Sequence, residues 1–198
     1  SPDQIKAYLL ENARDNPGTS AQGLISPQAN NPPNNRAGYG EVYLGADPMV
    51  TVDIPLAEGW NLFSLPVVPP DDDLTVVLSS IEGSYDLVYA YDAHNPSQPW
   101  KTYSTAVPPF MNTLTTMDVL SGYWLRVSEA VTLSVTGTPT DTTDIPLVIG
   151  WNLVGYPSRY AATVSEVLQS INGQCDLVYG YDAHDPGTPW KTYSTAVP

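Results

Sequence analysis

Apolar residues recur at helical spacing twice in this chain, at Leu74, Val77, Leu78 and Ile81 and again at Val164, Val167, Leu168 and Ile171. Each set marks one face of a short amphipathic helix. Asp73 and Thr163 stand at the N-cap position, Glu166 follows Thr163 at capping-box spacing, and Gly83 and Gly173 stand where a C-terminal glycine belongs. Around the helices the period shortens to that of strands. Residues 50–56 and 60–67 are β-rich runs joined at Ala57-Glu58-Gly59, which predicts a hairpin; residues 143–147 and 151–156 repeat the pattern around Ile149-Gly150. Residues 87–91 and 100–104 alternate across a Pro-rich turn, as do 177–181 and 190–194. In the first copy residues 123–127 and 131–135 complete a sheet, so a full module has about six strands and one helix.

The two copies are close to identical over long stretches. Residues 85–108 read YDLVYAYDAHNPSQPWKTYSTAVP and residues 175–198 read CDLVYGYDAHDPGTPWKTYSTAVP. Upstream, Asp53-Ile54-Pro55-Leu56 aligns with Asp144-Ile145-Pro146-Leu147, and Gly59-Trp60-Asn61-Leu62 with Gly150-Trp151-Asn152-Leu153. A period of about 90 residues suits small self-contained modules better than a solenoid. The predicted division is residues 1–49, a complete module at 50–142, and a second, truncated module at 143–198. The second copy has no counterpart of residues 122–137 and the chain opens without a methionine, so a piece of a longer protein is expected. Loss of those strands predicts an unpaired sheet edge and a partly uncovered apolar face in the second module.

Ahead of the modules, Ser1-Pro2-Asp3-Gln4 has the form of a capping box. A helix over residues 2–14 follows, with Ile5, Tyr8, Leu9 and Ala13 on its apolar face; a Pro- and Asn-rich loop at 26–36 and a short strand at 40–44 come next. The predicted fold class is therefore mostly β: tandem small β-rich modules, each with one short α-helix, preceded by a helix-loop-strand segment.

Charge narrows the functional classes. Seven basic residues against 21 acidic ones give a net charge of −14, which repels phosphate backbones and anionic lipid. Nucleic acid is not an expected partner, and no apolar run approaches the length of a membrane span. Scarce Lys with abundant Thr, Ser, Tyr, Asn and Pro suits an extracellular protein. The lone Cys175 aligns with Tyr85 and reads as a small semi-buried substitute for an aromatic ring.

Candidate chemistry is duplicated along with the modules. Asp92, His94 and Asn95 in one copy and Asp182, His184 and Asp185 in the other bring oxygen and imidazole groups to one tight loop. The primary reading is a structural turn, because Asp and Asn before Pro bond their own backbone; a calcium ion on these residues is the alternative, and no other cofactor is expected. Asp71-Asp72-Asp73 reads as charge at a helix start and has no repeat in the second copy. No nucleophile motif accompanies the histidines, so the fragment is read as non-catalytic. Tyr89, Tyr91, Trp100 and Tyr103, matched by Tyr179, Tyr181, Trp190 and Tyr193, form the densest aromatic group. With only two Phe in the chain these rings are expected chiefly in the core, a ligand platform being the alternative.

Two resemblances follow from these motifs. Pro2-Asp3-Gln4-Ile5-Lys6-Ala7-Tyr8-Leu9-Leu10-Glu11-Asn12-Ala13, with Gly38-Tyr39-Gly40-Glu41-Val42 after it, resembles the end of the catalytic domain of subtilisin-like serine proteases. Tyr43-Leu44 depart from the Asn-Ala common in that family, and no triad residue has a match. The modules resemble Gly-Trp-Asn-Leu repeats of large secreted proteins through Gly59-Trp60-Asn61-Leu62, Tyr89-Ala90-Tyr91-Asp92, Trp100-Lys101-Thr102-Tyr103 and Gly122-Tyr123-Trp124-Leu125. Together they imply the non-catalytic C-terminal accessory region of a secreted subtilisin-like endopeptidase, its modules serving for spacing, stability or attachment to a surface or substrate. Its partners would be the protease domain upstream in the same chain and a cell-surface or polymeric substrate.

Overall fold

The computed structural model describes residues 49–140 and 142–195, which lie within the unit spanning Pro48–Pro198. The helix at 2–14, the strand at 40–44 and the residues carrying the protease resemblance lie outside the described residues.

Among the described residues the chain is mostly β, with short helices. The strand β1 (Val50–Leu56) leads directly to β2 (Gly59–Ser64), yet the two do not pair. Instead β1 pairs antiparallel with β6 (Val131–Gly137), and β2 pairs antiparallel with β5 (Gly122–Val127). The larger sheet runs β2-β5-β3-β4, where β3 is Tyr85–Tyr91 and β4 is Trp100–Ser104. The hairpin predicted at residues 50–67 is therefore corrected to an arch, whose two strands enter different sheets. The cause is burial: β1 turns Leu56 inward and β2 turns Phe63 inward, so both strands face one core from different sides.

The Gly-Trp-Asn-Leu motif makes that arch possible. Gly59 takes a φ of +92°, open to glycine without strain, and the chain folds back so that the Asn61 amide lies inside the bend. Asn61 Oδ1 accepts the Ala57 N–H at 2.9 Å, while Nδ2 donates to the Ala57 carbonyl at 2.7 Å and to the Gly59 carbonyl at 3.1 Å. In the second copy Asn152 makes the same bonds to Val148 and Gly150, and Gly150 has φ +102°. A buried amide thus supplies what a hairpin ladder would have supplied.

Helix α1 (Leu74–Val77) is a single turn continued by a 3-10 turn at Ser79–Ile81. Asp73 caps it, accepting the Thr75 N–H at 2.8 Å and hydroxyl at 2.6 Å, bonds that hold its carboxyl below the usual range. Leu74, Val77, Leu78 and Ile81 point into the core, as their spacing predicts. Tyr123 is buried on β5; its hydroxyl accepts the Asp118 N–H and donates to the Asp118 carbonyl, and burial raises its pKa. Every buried hydrophobic side chain among the described residues lies between Leu56 and Val135.

The second copy keeps the local elements and lacks the core. Helix α2 (Val164–Val167) has the predicted capping box between Thr163 and Glu166, and β7 (Leu177–Tyr181) pairs with β8 (Trp190–Ser194) in the register of β3 with β4. Residues 143–147 and 151–156 are not strands, which corrects the expectation for that segment. In the first copy the corresponding strands are held by β6 and β5, and the sequence has one copy of those. Val164 and Val167 are exposed; Leu168, Ile171 and Val178 are half-buried. Among the described residues β7 pairs with β8 alone.

Candidate functional site

From Leu87 onward strand alternation divides β3, with Val88 and Ala90 toward the core and Leu87, Tyr89 and Tyr91 on the other face; a register shift between Tyr85 and Leu87 puts Tyr85 in the core as well. The core expectation is thereby corrected for Tyr89, Tyr91 and Trp100, which lie on the outer face of the sheet. Tyr91 is opposite Trp100, and Tyr89 is opposite Thr102 on one side and Trp124 on the other. Trp100 meets Tyr91 edge-on at 5.0 Å and Tyr89 edge-on at 6.3 Å. Trp60 on β2 stacks on Tyr89 at 5.7 Å with an interplanar angle of 24°, reaching over the intervening strand β5. Arg126 of β5 lies 5.5 Å over the Trp60 ring and forks onto Asp86 at 2.8 and 2.6 Å.

The second copy reproduces this ladder. Trp151 stacks on Tyr179 at 5.7 Å and 28°, and Trp190 meets Tyr179 at 6.3 Å and Tyr181 at 5.1 Å, both edge-on. Trp124 of the first copy then joins the two ladders, touching Tyr181 at 5.1 Å and Trp190 at 5.8 Å. Trp100 and Trp190 remain 54% and 56% exposed, so the joined face is open to solvent at both outer strands.

Backbone contact fixes the same junction. The Gly155 N–H donates to the Leu120 carbonyl at 2.7 Å, Ser121 bridges to Val154, and the Tyr156 N–H reaches Ser64 Oγ at 3.0 Å. Gly155 is buried against the Val119 carbonyl with no room for a Cβ. Gly155→Ala is expected to part the two copies at this seam while the first module stays folded. Near-ultraviolet circular dichroism checks it through loss of the Trp124–Trp190 signal, at a cost of about 1–3 kcal/mol at the junction.

Of the eight aromatic candidates, Tyr89, Tyr91, Trp100, Tyr179, Tyr181 and Trp190 share the outer face. Tyr103 and Tyr193 do not. Tyr103 packs against the core beside Tyr85 at 6.2 Å, and Tyr193 lines a cavity of about 270 Å³ where Cys175 replaces that Tyr85 partner. Trp60, Trp124 and Trp151 belong to the surface and were absent from the sequence-derived set. The alternation of β5, with Tyr123 and Leu125 inward and Trp124 outward, is the signal that identifies Trp124.

The Asp-His loops are turns built from their own side chains. Asp92 Oδ1 accepts the His94 N–H at 3.0 Å and Asp182 Oδ1 accepts the His184 N–H at 2.9 Å. Asn95 and Asp185 take the N–H groups of Gln98 and Thr188. Asp185 also receives Lys191 Nζ at 2.6 Å, and its pKa is pulled down to about 2 by the Lys191 and Thr188 bonds. His94 and His184 lie 3.9 and 3.7 Å from the carboxylates of Asp92 and Asp182, longer than an orienting hydrogen bond. A cleft of about 420 Å³ between the copies is lined by Asp92, His94, Lys101 and Asp118, where Asp118 Oδ1 accepts the Leu120 and Ser121 N–H groups. Among the described residues no three His, Cys, Asp or Glu side chains converge as a metal site, and no helix is long and apolar enough to cross a membrane.

No family model, no curated protein and no solved structure matches this chain.

Proposed function

We propose that the two copies form a non-catalytic attachment unit that holds a secreted subtilisin-like endopeptidase on a polymeric or cell-surface substrate. The observation that carries the attachment role is the outward aromatic ladder, present twice with the same ring geometry. These rings lie on the side of the sheet away from the core residues Val88 and Ala90, and flat aromatic faces stack on the C–H faces of sugars. A charge of −14 turns such a surface away from phosphate-bearing polymers and toward neutral ones. The protease assignment rests on the resemblance of residues 2–13 and 38–42.

The test is retention on insoluble neutral polysaccharides, with chitin and cellulose as probes. The expected result is retention of the native chain, reduced at least tenfold in the Trp100→Ala, Trp190→Ala double variant, with no peptide hydrolysis by the 198-residue chain. Retention unchanged in that variant, or none on any probe, overturns the attachment reading. Exposed rings equally suit an adhesin-like or carbohydrate-binding repeat protein unrelated to proteolysis. The sequence encoded upstream separates the two, a Gly-Thr-Ser-Met-Ala nucleophile motif deciding for the protease and further Gly-Trp-Asn-Leu modules for the adhesin.

A further inference from the structure

We infer that the cleft beside the Asp92-His94 turn binds the carboxylate of a small organic acid, with the Lys101 ammonium as its anchor. This binding is separate from the attachment role and does not depend on it. Lys101 stands opposite Ala90 on β4, so its side chain leaves the strand on the side away from the aromatic ladder. It is half-buried and lines the cleft of about 420 Å³ together with His94, Thr115, Thr116 and Asp118, all from the complete first copy.

The repeat itself singles out this lysine. The two turns share their backbone bonds: Asp92 and Asp182 donate to the Pro99 and Pro189 carbonyls, and Asn95 and Asp185 donate to those of Asp92 and Asp182. Their side chains part company at one position. In the second copy Asp185 Oδ2 accepts Lys191 Nζ at 2.6 Å and the Thr188 hydroxyl at 2.7 Å. The first copy has Asn95 there, a neutral amide whose Oδ1 accepts the Gln98 N–H, and Gln98 brings no hydroxyl. Lys101 holds the strand position of Lys191, yet among the described residues it has no ion pair. A half-buried ammonium without a counter-charge is stabilised by a carboxylate that reaches it, through a charge-assisted hydrogen bond.

The rest of the cleft limits what that ligand can be. Asp92 and Asp118 line it, and each holds backbone N–H groups through Oδ1: the His94 N–H on Asp92, and the Leu120 and Ser121 N–H groups on Asp118. Their charges remain. A carboxylate carries the single charge that matches one ammonium, whereas a phosphate dianion adds a second that faces Asp92 and Asp118. The net charge of −14 disfavours the dianion further. Thr115 and Thr116 bring hydroxyl groups to the same cleft, donors suited to the second carboxylate oxygen.

The experiment titrates the full 198-residue chain with D-glucuronate and, separately, with N-acetylglycine, and follows the amide NMR shifts of His94, Lys101 and Thr116. D-glucose and N-acetylglycinamide serve as the neutral counterparts. Saturable shifts are expected with an acid and none with its neutral counterpart; a response to glucuronate alone assigns a sugar acid, and to N-acetylglycine alone an acylated amino acid. Lys101→Gln and Asn95→Asp are each expected to weaken binding about tenfold, the scale of one hydrogen bond to a charged group. The second does so by giving Lys101 the carboxylate that Lys191 already has, in a turn whose other copy shows that Asp is accommodated. No shift with either acid overturns the inference, as do equal shifts with the neutral counterparts or unchanged affinity in Lys101→Gln or in Asn95→Asp. These readouts are independent of polysaccharide retention.

Discussion

Leu78→Ala is expected to cost about 3–4 kcal/mol of stability, and Leu168→Ala, at the matching place in the second copy, less than about 1 kcal/mol. Both residues end a one-turn helix and both donate their N–H to the residue four before, Leu74 and Val164. Their surroundings differ. Leu78 is fully buried, so truncation removes its burial and leaves a void in a packed cluster. Leu168 is half-buried beside a sheet of two strands, where solvent enters the space that truncation leaves. Urea unfolding of each variant, followed by tryptophan fluorescence, measures both. Equal costs in the two copies would refute a core confined to the first.

The second large effect belongs to an amide. Asn61→Ala is expected to destabilise the first module by about 3 kcal/mol, since it removes three hydrogen bonds made by a buried side chain and leaves the Ala57 N–H and the Ala57 and Gly59 carbonyls of a half-buried bend without those partners. Asn61→Asp does not rescue it, because a carboxylate accepts the Ala57 N–H but donates to neither carbonyl. Asn152→Ala removes the same bonds from a half-exposed bend, where water replaces them, and the expected loss is about 1 kcal/mol. Thermal denaturation of the two variants side by side checks the difference.

The parts of this fold legible in the sequence are those whose cause is local. Caps at Asp73 and Thr163, the apolar face of α1, the glycines with positive φ at 83 and 173, and the bounds of β4 and β8 depend on neighbours within a few residues. Pairing partners were not legible. Leu56 and Phe63 carry the same alternation whether β1 and β2 form a hairpin or an arch, and the choice rests on β5 and β6, far along the chain. For the same reason residues 143–147 and 151–156 have strand composition without becoming strands: propensity is present and the partner is not. At the aromatic surface the alternation of β3 separates its two faces, while nothing in that pattern alone says which face meets the core. That depended on where α1 and β6 pack. Trp60 and Trp151 joined the surface by stacking on Tyr89 and Tyr179, contacts that spacing along one strand does not contain.

The arch between β1 and β2 also bears on biosynthesis. Because Val50 pairs with Gly137 and Gly59 with Val127, neither opening strand has a partner until the end of the module has been made. A hairpin would close on itself at the mouth of the ribosome. Here the nascent chain must carry two unsatisfied apolar strands until β6 emerges, a long-range closure of the kind that slows folding. The polar residues Thr51 and Asp53, alternating outward with Pro55 on β1, then keep one face of the waiting segment in water during that interval.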